Sequence, residues 1–126
     1  MISPTGTEPK SDKDPVLFSV KRIDDVSAEL DLLVPGALSY FRGHFPGYPI
    51  LAGVVQIDWA IRYGRAHLNV ADRPAEVVQA KFRKPIKPGT RLRLRLDYAL
   101  PSGRLSFSYR DDEGPCSSGQ ITLAAV

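Results

Sequence analysis

A single segment of the chain has the residue spacing of a helix, and this limits the folds open to the sequence. Within residues 54–68, apolar side chains recur every three or four positions. On a helical wheel they form two stripes, the first made of Val54, Ile57, Ile61 and Leu68 and the second of Val55, Trp59 and Ala66. A helix that is apolar on two sides is expected to be largely buried.

The other regular segments have the alternation and the turn residues of β-strands. Two precede the helix and about four follow it, at residues 16–23, 26–34, 75–82, 91–96, 105–109 and 119–126. Most are joined by short turns, such as Asp24-Asp25, which favours antiparallel pairing. The sequence therefore predicts an α+β fold, with an antiparallel sheet wrapped around one long central helix.

Composition and length place this fold in one domain. The chain has 126 residues, a net charge of +3 and one cysteine. Residues 1–14 are polar and predict a disordered N-terminal arm, and residues 15–126 form the folded domain. We find no signal peptide and no apolar run long enough for a bilayer, and the single cysteine favours a reducing compartment, so we expect a cytoplasmic protein without a membrane partner.

The loop before the helix contains the first candidate for chemistry. Residues 40–53 combine glycine and proline with aromatic side chains, which indicates an ordered loop and not a flexible linker. His44 lies between Gly43 and Phe45 in this loop. Poor solvation there can keep the imidazole neutral, as a general base requires. The other interpretation is a packed histidine that bonds a backbone carbonyl, whereas His67, near the helix end, is expected at the surface.

The helix supplies a carboxylate and two backbone donors. Asp58 lies between the two apolar stripes and is expected to be partly buried, where a carboxyl group can donate a proton. An ordinary ion pair with Arg62, four residues later, or with Arg65 is the competing interpretation. The N–H groups of Gly53 and Val54 are not used inside the helix, so they can polarise a carbonyl oxygen. Gly53 can also be explained as a residue that permits a sharp bend.

A basic stretch follows the helix and contains no acidic residue. It comprises Lys81, Arg83, Lys84, Lys87, Arg91, Arg93 and Arg95. This pattern indicates either a solvated sheet face or a docking surface for an acidic or phosphorylated partner. Nucleic acid is not the expected partner, because no recognised binding motif accompanies the charge. Two separated histidines and one cysteine also make a metal site unexpected.

Residues 41–58 read Phe-Arg-Gly-His-Phe-Pro-Gly-Tyr-Pro-Ile-Leu-Ala-Gly-Val-Val-Gln-Ile-Asp. This segment resembles the signature of the FabA/FabZ-type β-hydroxyacyl-ACP dehydratases. That signature joins a GHFPGxP loop to a carboxylate fourteen residues after the histidine, and Asp58 stands fourteen residues after His44. Residues 81–89 resemble the basic segment of the same family. The neighbourhood of Gln56 and Trp59 is similar to the small dehydratases of aryl-polyene clusters, the ApeI-like enzymes. Ala52 departs from the pattern, since the family usually has proline there.

The resemblance implies a hot-dog fold, a dimer and two composite sites. His44 would remove the α-proton of a 3-hydroxyacyl thioester, and Asp58 of the partner subunit would orient or protonate the departing hydroxyl. Gly53 and Val54 would hold the thioester oxygen. The product would be a trans-2-enoyl thioester, made in fatty-acid or aryl-polyene-type biosynthesis without a cofactor of the enzyme's own.

The resemblance also implies partners. The substrate would be carried on the phosphopantetheine of an acyl carrier protein, which would dock at Lys81, Arg83 and Lys84. Phe45 and Tyr48 would contact the acyl chain, although a packing role for Tyr48 is an equal alternative. The dimer would be a homodimer or a heterodimer with a second hot-dog protein. A hot-dog acyl thioesterase remains the alternative activity.

Overall fold

The computed structural model describes residues 14–35, 50–68, 70 and 75–123. These residues form β1 (Val16–Asp24), β2 (Ser27–Leu33), α1 (Gly53–His67), β3 (Ala75–Phe82), β4 (Arg91–Ala99), β5 (Arg104–Asp111) and β6 (Gly114–Leu123). The predicted order of two strands, one helix and four strands is confirmed. The predicted arm lies outside the described residues, apart from Asp14.

The strands pair into one antiparallel sheet in the order β1-β2-β4-β5-β6-β3. Strands β1 and β3 therefore stand at its two edges. Strand β3 follows α1 in sequence but pairs with β6, the last strand. This crossover carries the chain past the inner face of the sheet, where α1 lies.

The core forms between α1 and this inner face. On β4 the side chains of Leu92, Leu94 and Leu96 are buried, while the arginines between them point to the outer face, as the alternation predicts. Trp59 is fully buried at the centre of α1. Truncating a buried side chain of this size costs about 3–5 kcal/mol, so Trp59 is a main anchor of the helix on the sheet.

The expected burial of α1 on two sides is wrong for this single chain. Val55, Trp59 and Ala60 are buried, but Val54 is 72% exposed and Ala66 is also exposed. The physical reason is that the sheet covers one side of the helix only. The edge strand β3 is similarly open, with Val77 46% and Phe82 49% exposed although both belong to its inner face.

The last strand begins earlier than the alternation predicts. We expected the last strand at residues 119–126, but β6 starts at Gly114. The turn of this hairpin contains only Asp112 and Glu113, and Gly114, directly after it, takes a positive φ of 138°. Within the described residues, no helix has both the length and the apolar character that a membrane crossing needs.

Candidate active site

Some of the predicted site residues lie within the described part of the chain, and others lie outside it. Gly53, Val54 and Asp58 all lie in α1. His44, Phe45 and Tyr48 lie outside the described residues, so the expected partnership of His44 with Asp58 stays a prediction.

The first turn of α1 presents backbone donors without a capping side chain. Ala52 is the N-cap residue, with φ −63° and ψ 147°, and the first turn contains no acidic residue. The N–H groups of Val55 and Gln56 both donate to the Ala52 carbonyl, at 3.1 and 3.2 Å. The N–H groups of Gly53 and Val54 have no acceptor among the described residues. Within the described part of the chain, they are therefore available to a ligand at the positive end of the helix dipole.

Gly53 allows the side chain of Phe82 to approach the helix closely. A Cβ atom added at Gly53 would lie 2.6 Å from Cζ of Phe82, closer than side chains pack. The Phe82 ring thus rests against the backbone of the first turn. Because Val54 beside it is largely exposed, the two backbone donors lie next to a partly open apolar surface.

A buried polar network holds this turn, and the sequence analysis did not identify it. The Gln56 side chain is 3% exposed. Its Nε2 donates to the Leu51 carbonyl at 3.0 Å, and its Oε1 accepts from the Ser117 hydroxyl at 2.6 Å. The Tyr109 hydroxyl donates to the backbone carbonyl of Gln56 at 2.7 Å. Every polar atom of the Gln56 amide group that faces the core therefore has a partner.

A signal for this network was present in the sequence. Gln56 interrupts an apolar run and shares its helical face with Ala60, four residues later, which is fully buried. A polar residue on a core-facing position needs internal partners. Ser117 and Tyr109 gave no such signal, because they come from distant strands. Burial raises the pKa of Tyr109 well above its ordinary value, so its hydroxyl remains a donor.

Asp58 lies on the open face of the helix, and its expected partial burial is wrong for this chain. Its side chain is 53% exposed, and Oδ2 accepts from Nε of Arg62 at 3.1 Å. Nη1 of the same guanidinium lies 2.8 Å from Asp14. The interpretation as an Asp-Arg helix pair is therefore confirmed. Val54 and Asp58 are one turn apart on the same side, which explains their shared exposure.

The basic stretch divides into paired and unpaired cations. Lys84 lies 2.6 Å from Asp111 and 2.9 Å from Glu113, and these contacts raise the pKa of its ammonium group. On β4, Arg91 pairs with Asp31 at 2.8 Å. The outer face is consequently less basic than the strand sequence alone indicates.

Lys81 and Arg83 have a different environment. They line a hollow of about 300 Å³ on the outer face of the sheet, together with Gln79, Ser106, Phe107, Ser118, Gly119 and Gln120. No carboxylate belongs to this lining, and neither cation has an ion pair among the described residues. Within the same part of the chain, no three potential metal ligands converge.

Comparisons with known proteins agree with this arrangement. Residues 20–120 match the ApeI-like family, described as ApeI dehydratase. This chain is 31% identical to a chain of the dehydratase heterocomplex ApeI:P from Xenorhabdus doucetiae, with a TM-score of 0.83. The match covers 89% of this chain and 99% of the other. An uncharacterised protein from Erwinia carotovora is 35% identical with a TM-score of 0.73, covering 89% and 97% of the two chains.

The curated relatives are matched over shorter stretches. The 3-hydroxyacyl-(acyl-carrier-protein) dehydratase FabZ of Koribacter versatilis is 41% identical over 66 residues, which are 46% of this chain and 42% of the relative. The chain thus matches about half the length of these relatives. A hypothetical thioesterase from Streptococcus pneumoniae, 9% identical with a TM-score of 0.56, shares only the fold. The predicted hot-dog fold is confirmed, and the chain belongs to the ApeI-like dehydratase family.

Proposed function

We propose that this chain dehydrates 3-hydroxyacyl thioesters, carried by an acyl carrier protein, to trans-2-enoyl thioesters. The observation that carries the proposal is the exposed face of α1. It presents the N–H groups of Gly53 and Val54 and, one turn later, the carboxylate of Asp58. Membership of the ApeI-like family and the similarity to FabZ dehydratases support the same reaction class.

The chemistry divides between three groups. His44 takes the proton from C2, and the electrons of that C–H bond form an enolate whose oxygen is held by Gly53 and Val54. The C3–O bond then breaks, and the departing hydroxyl takes one proton from the carboxylic acid form of Asp58 and leaves as water. An α-proton beside a thioester is weakly acidic, so a base and an oxyanion site are both needed. Phe45 and Tyr48 contact the acyl chain in this proposal.

We further propose that His44 and Asp58 act together from different subunits of a dimer. Asp58, Val54 and Phe82 are open to solvent in the single chain, beside the edge strand β3, so a second subunit has a place to complete the site. The dimer is a homodimer or a heterodimer with another hot-dog protein. The similar chain from Xenorhabdus doucetiae belongs to a dehydratase heterocomplex, ApeI:P.

The carrier protein docks at Lys81 and Arg83, whose charges are not balanced by described carboxylates. Lys84 was grouped with them in the prediction, but its ammonium is held by Asp111 and Glu113. We therefore infer that Lys84 stabilises the turn between β5 and β6 and does not bind the carrier protein. The carrier supplies the phosphopantetheine arm, and the proposal places the reaction in fatty-acid or aryl-polyene-type biosynthesis.

Turnover of a panel of alkyl and aryl 3-hydroxyacyl carriers tests this function. The wild type, assayed alone and with a hot-dog partner encoded nearby, should form the enoyl product, and His44→Ala should not. Release of free thiol would instead identify a thioesterase. Cys116 is the only cysteine, and burial raises the pKa of its thiol, so the folded protein adds little background to a thiol reagent. Undiminished dehydration by His44→Ala would contradict the proposal.

A further inference from the structure

We infer that Gln56 is a positioning residue that holds the two oxyanion-binding N–H groups of Gly53 and Val54 in place. The inference rests on the proposed function. It assigns no contact with the substrate to Gln56, and derives its role from what the side chain connects.

Three residues that lie opposite one another on neighbouring strands contact the first turn of α1. Phe82 of β3 is opposite Ser117 of β6, and Ser117 is opposite Tyr109 of β5. The Phe82 ring lies against Gly53, the Ser117 hydroxyl donates to the Gln56 side chain, and the Tyr109 hydroxyl donates to the Gln56 carbonyl. Three neighbouring strands thus contact the same helical turn at one level of the sheet.

Gln56 also connects the first turn to the residues that precede the helix. Its Nε2 donates to the carbonyl of Leu51, two residues before Gly53, while the Leu51 N–H donates to the Ile86 carbonyl at 2.7 Å. Leu51 is therefore fixed from both sides. With Leu51 and Gln56 both fixed, the intervening Gly53 and Val54 have little freedom to reorient their N–H vectors.

The arrangement replaces a conventional helix cap. A serine, threonine or aspartate at the N-cap would normally fix the turn, but it would do so by accepting a hydrogen bond from the first-turn N–H groups. The Ala52 side chain cannot accept from those donors, and the N–H groups of Gly53 and Val54 have no acceptor among the described residues. Gln56 instead fixes the turn by donating to the Leu51 carbonyl. The N–H groups of Gly53 and Val54 are thereby held in position without donating to a cap side chain. Preorganised donors of this kind are what stabilise a developing oxyanion.

A purely apolar core would not need this residue. Burying an amide side chain costs free energy unless each polar atom is bonded, and a leucine would avoid that cost. Gln56 has both partners at 2.6 and 3.0 Å. The complete bonding explains why the amide is tolerated, and its effect on the donors explains what it contributes.

Two variants and one matched control test the inference. Gln56→Leu removes both side-chain bonds, and Ser117→Ala removes the anchor to β6. Ser27→Ala is the control, because Ser27 is a similarly buried serine whose hydroxyl donates to Asp97 at 2.7 Å, on β2 and away from α1. We expect kcat to fall at least about 10-fold in Gln56→Leu and less in Ser117→Ala, with KM within about threefold, because misaligned donors lose transition-state stabilisation. Ser27→Ala should retain the wild-type kcat.

Gln56→Glu gives a readout that a merely structural residue would not move. The ionised carboxylate can accept from Ser117 but cannot donate to the Leu51 carbonyl, whereas the protonated acid can do both. Turnover per folded molecule, relative to wild type at the same pH, should therefore rise as the pH falls. This variant also keeps the inference testable if Gln56→Leu does not fold.

A substrate-free measurement separates this inference from the proposed function. The ¹H–¹⁵N heteronuclear NOE of the Gly53 and Val54 amides should decrease in Gln56→Leu and Ser117→Ala but not in Ser27→Ala. An inactive wild type would overturn the dehydratase proposal, and the NOE would then decide the positioning role alone. Wild-type kcat together with unchanged NOE values in Gln56→Leu and Ser117→Ala would overturn the inference.

Discussion

Asp58 accepts a hydrogen bond from Arg62 through Oδ2 at 3.1 Å, one helical turn further along α1. The guanidinium is shared, since its Nη1 contacts Asp14 at 2.8 Å. The second carboxylate oxygen of Asp58, Oδ1, has no hydrogen bond to a described residue. Arg62 can therefore orient the carboxylate on the exposed helix face while one oxygen stays available to a substrate hydroxyl.

The first prediction concerns the carboxylate itself. Asp58→Asn should lower kcat at least about 100-fold, since general acid catalysis contributes about 10²–10⁴-fold. The free energy of unfolding should change by no more than about 1 kcal/mol, because the ion pair with Arg62 is exposed. Steady-state turnover and urea unfolding measure the two effects.

Asp31→Asn is the matched control for this change. Asp31 is also a carboxylate paired with an arginine, Arg91, at 2.8 Å, but it lies on the outer face of β2. It should keep wild-type turnover. Equal kcat in Asp58→Asn and Asp31→Asn would remove Asp58 from the mechanism.

The second prediction concerns carrier docking. Reversing the charge of both Lys81 and Arg83 to glutamate should lower kcat/KM at least about 10-fold for a carrier-bound substrate. It should leave a pantetheine-bound substrate unaffected, because only the carrier protein brings an acidic surface. Added salt should reduce the wild-type rate towards that of the variant. Lys21→Glu, on the opposite edge strand β1, is the control and should have no effect on either substrate.

Much of the fold followed from local patterns. The alternation of Leu92 to Leu96 predicts which face of β4 is buried, and the helical spacing predicts α1 to within one residue at each end. Such patterns report the immediate surroundings of each residue. They could not report that the sheet covers only one side of α1, which made the expected burial of Val54 and Asp58 wrong.

The site was predictable only in part, for a related reason. The spacing of His44 and Asp58 pointed to a family, and the helix start pointed to Gly53 and Val54. The contacts of Gln56 with Ser117 and Tyr109 join residues 61 and 53 positions apart. Strand pairing brings them together, and no periodicity in one segment encodes that. The neutralisation of Lys84 by Asp111 was hidden in the same way.

The third prediction concerns the N-cap. Ala52→Pro should raise the free energy of unfolding by about 0.5–1 kcal/mol, because proline restricts the unfolded chain. The φ of −63° at Ala52 already suits a proline ring, and the Ala52 N–H has no acceptor among the described residues. Equilibrium unfolding in urea measures the change.

The fourth prediction concerns the ion pair between Lys84 and Asp111. The hydrogen bond from Lys84 holds the pKa of Asp111 below its ordinary value. A carboxyl group whose pKa is lowered in the folded state stabilises the fold at pH values above its unfolded-state pKa of about 3.9. This stabilisation is lost as the pH falls through the folded-state pKa. Lys84→Ala should therefore lower stability by a constant amount between about pH 5 and pH 8, and the difference from wild type should shrink below about pH 4.

Unfolding in urea at several pH values measures this dependence. Lys21→Ala, which removes a lysine without an ion pair among the described residues, should differ from wild type by an amount that does not change over the same range. A Lys84→Ala difference that persists unchanged at pH 3 would mean that the alkyl stem of Lys84, and not its charge, holds the β5–β6 turn. The ion pair would then not support leaving Lys84 out of the proposed docking site.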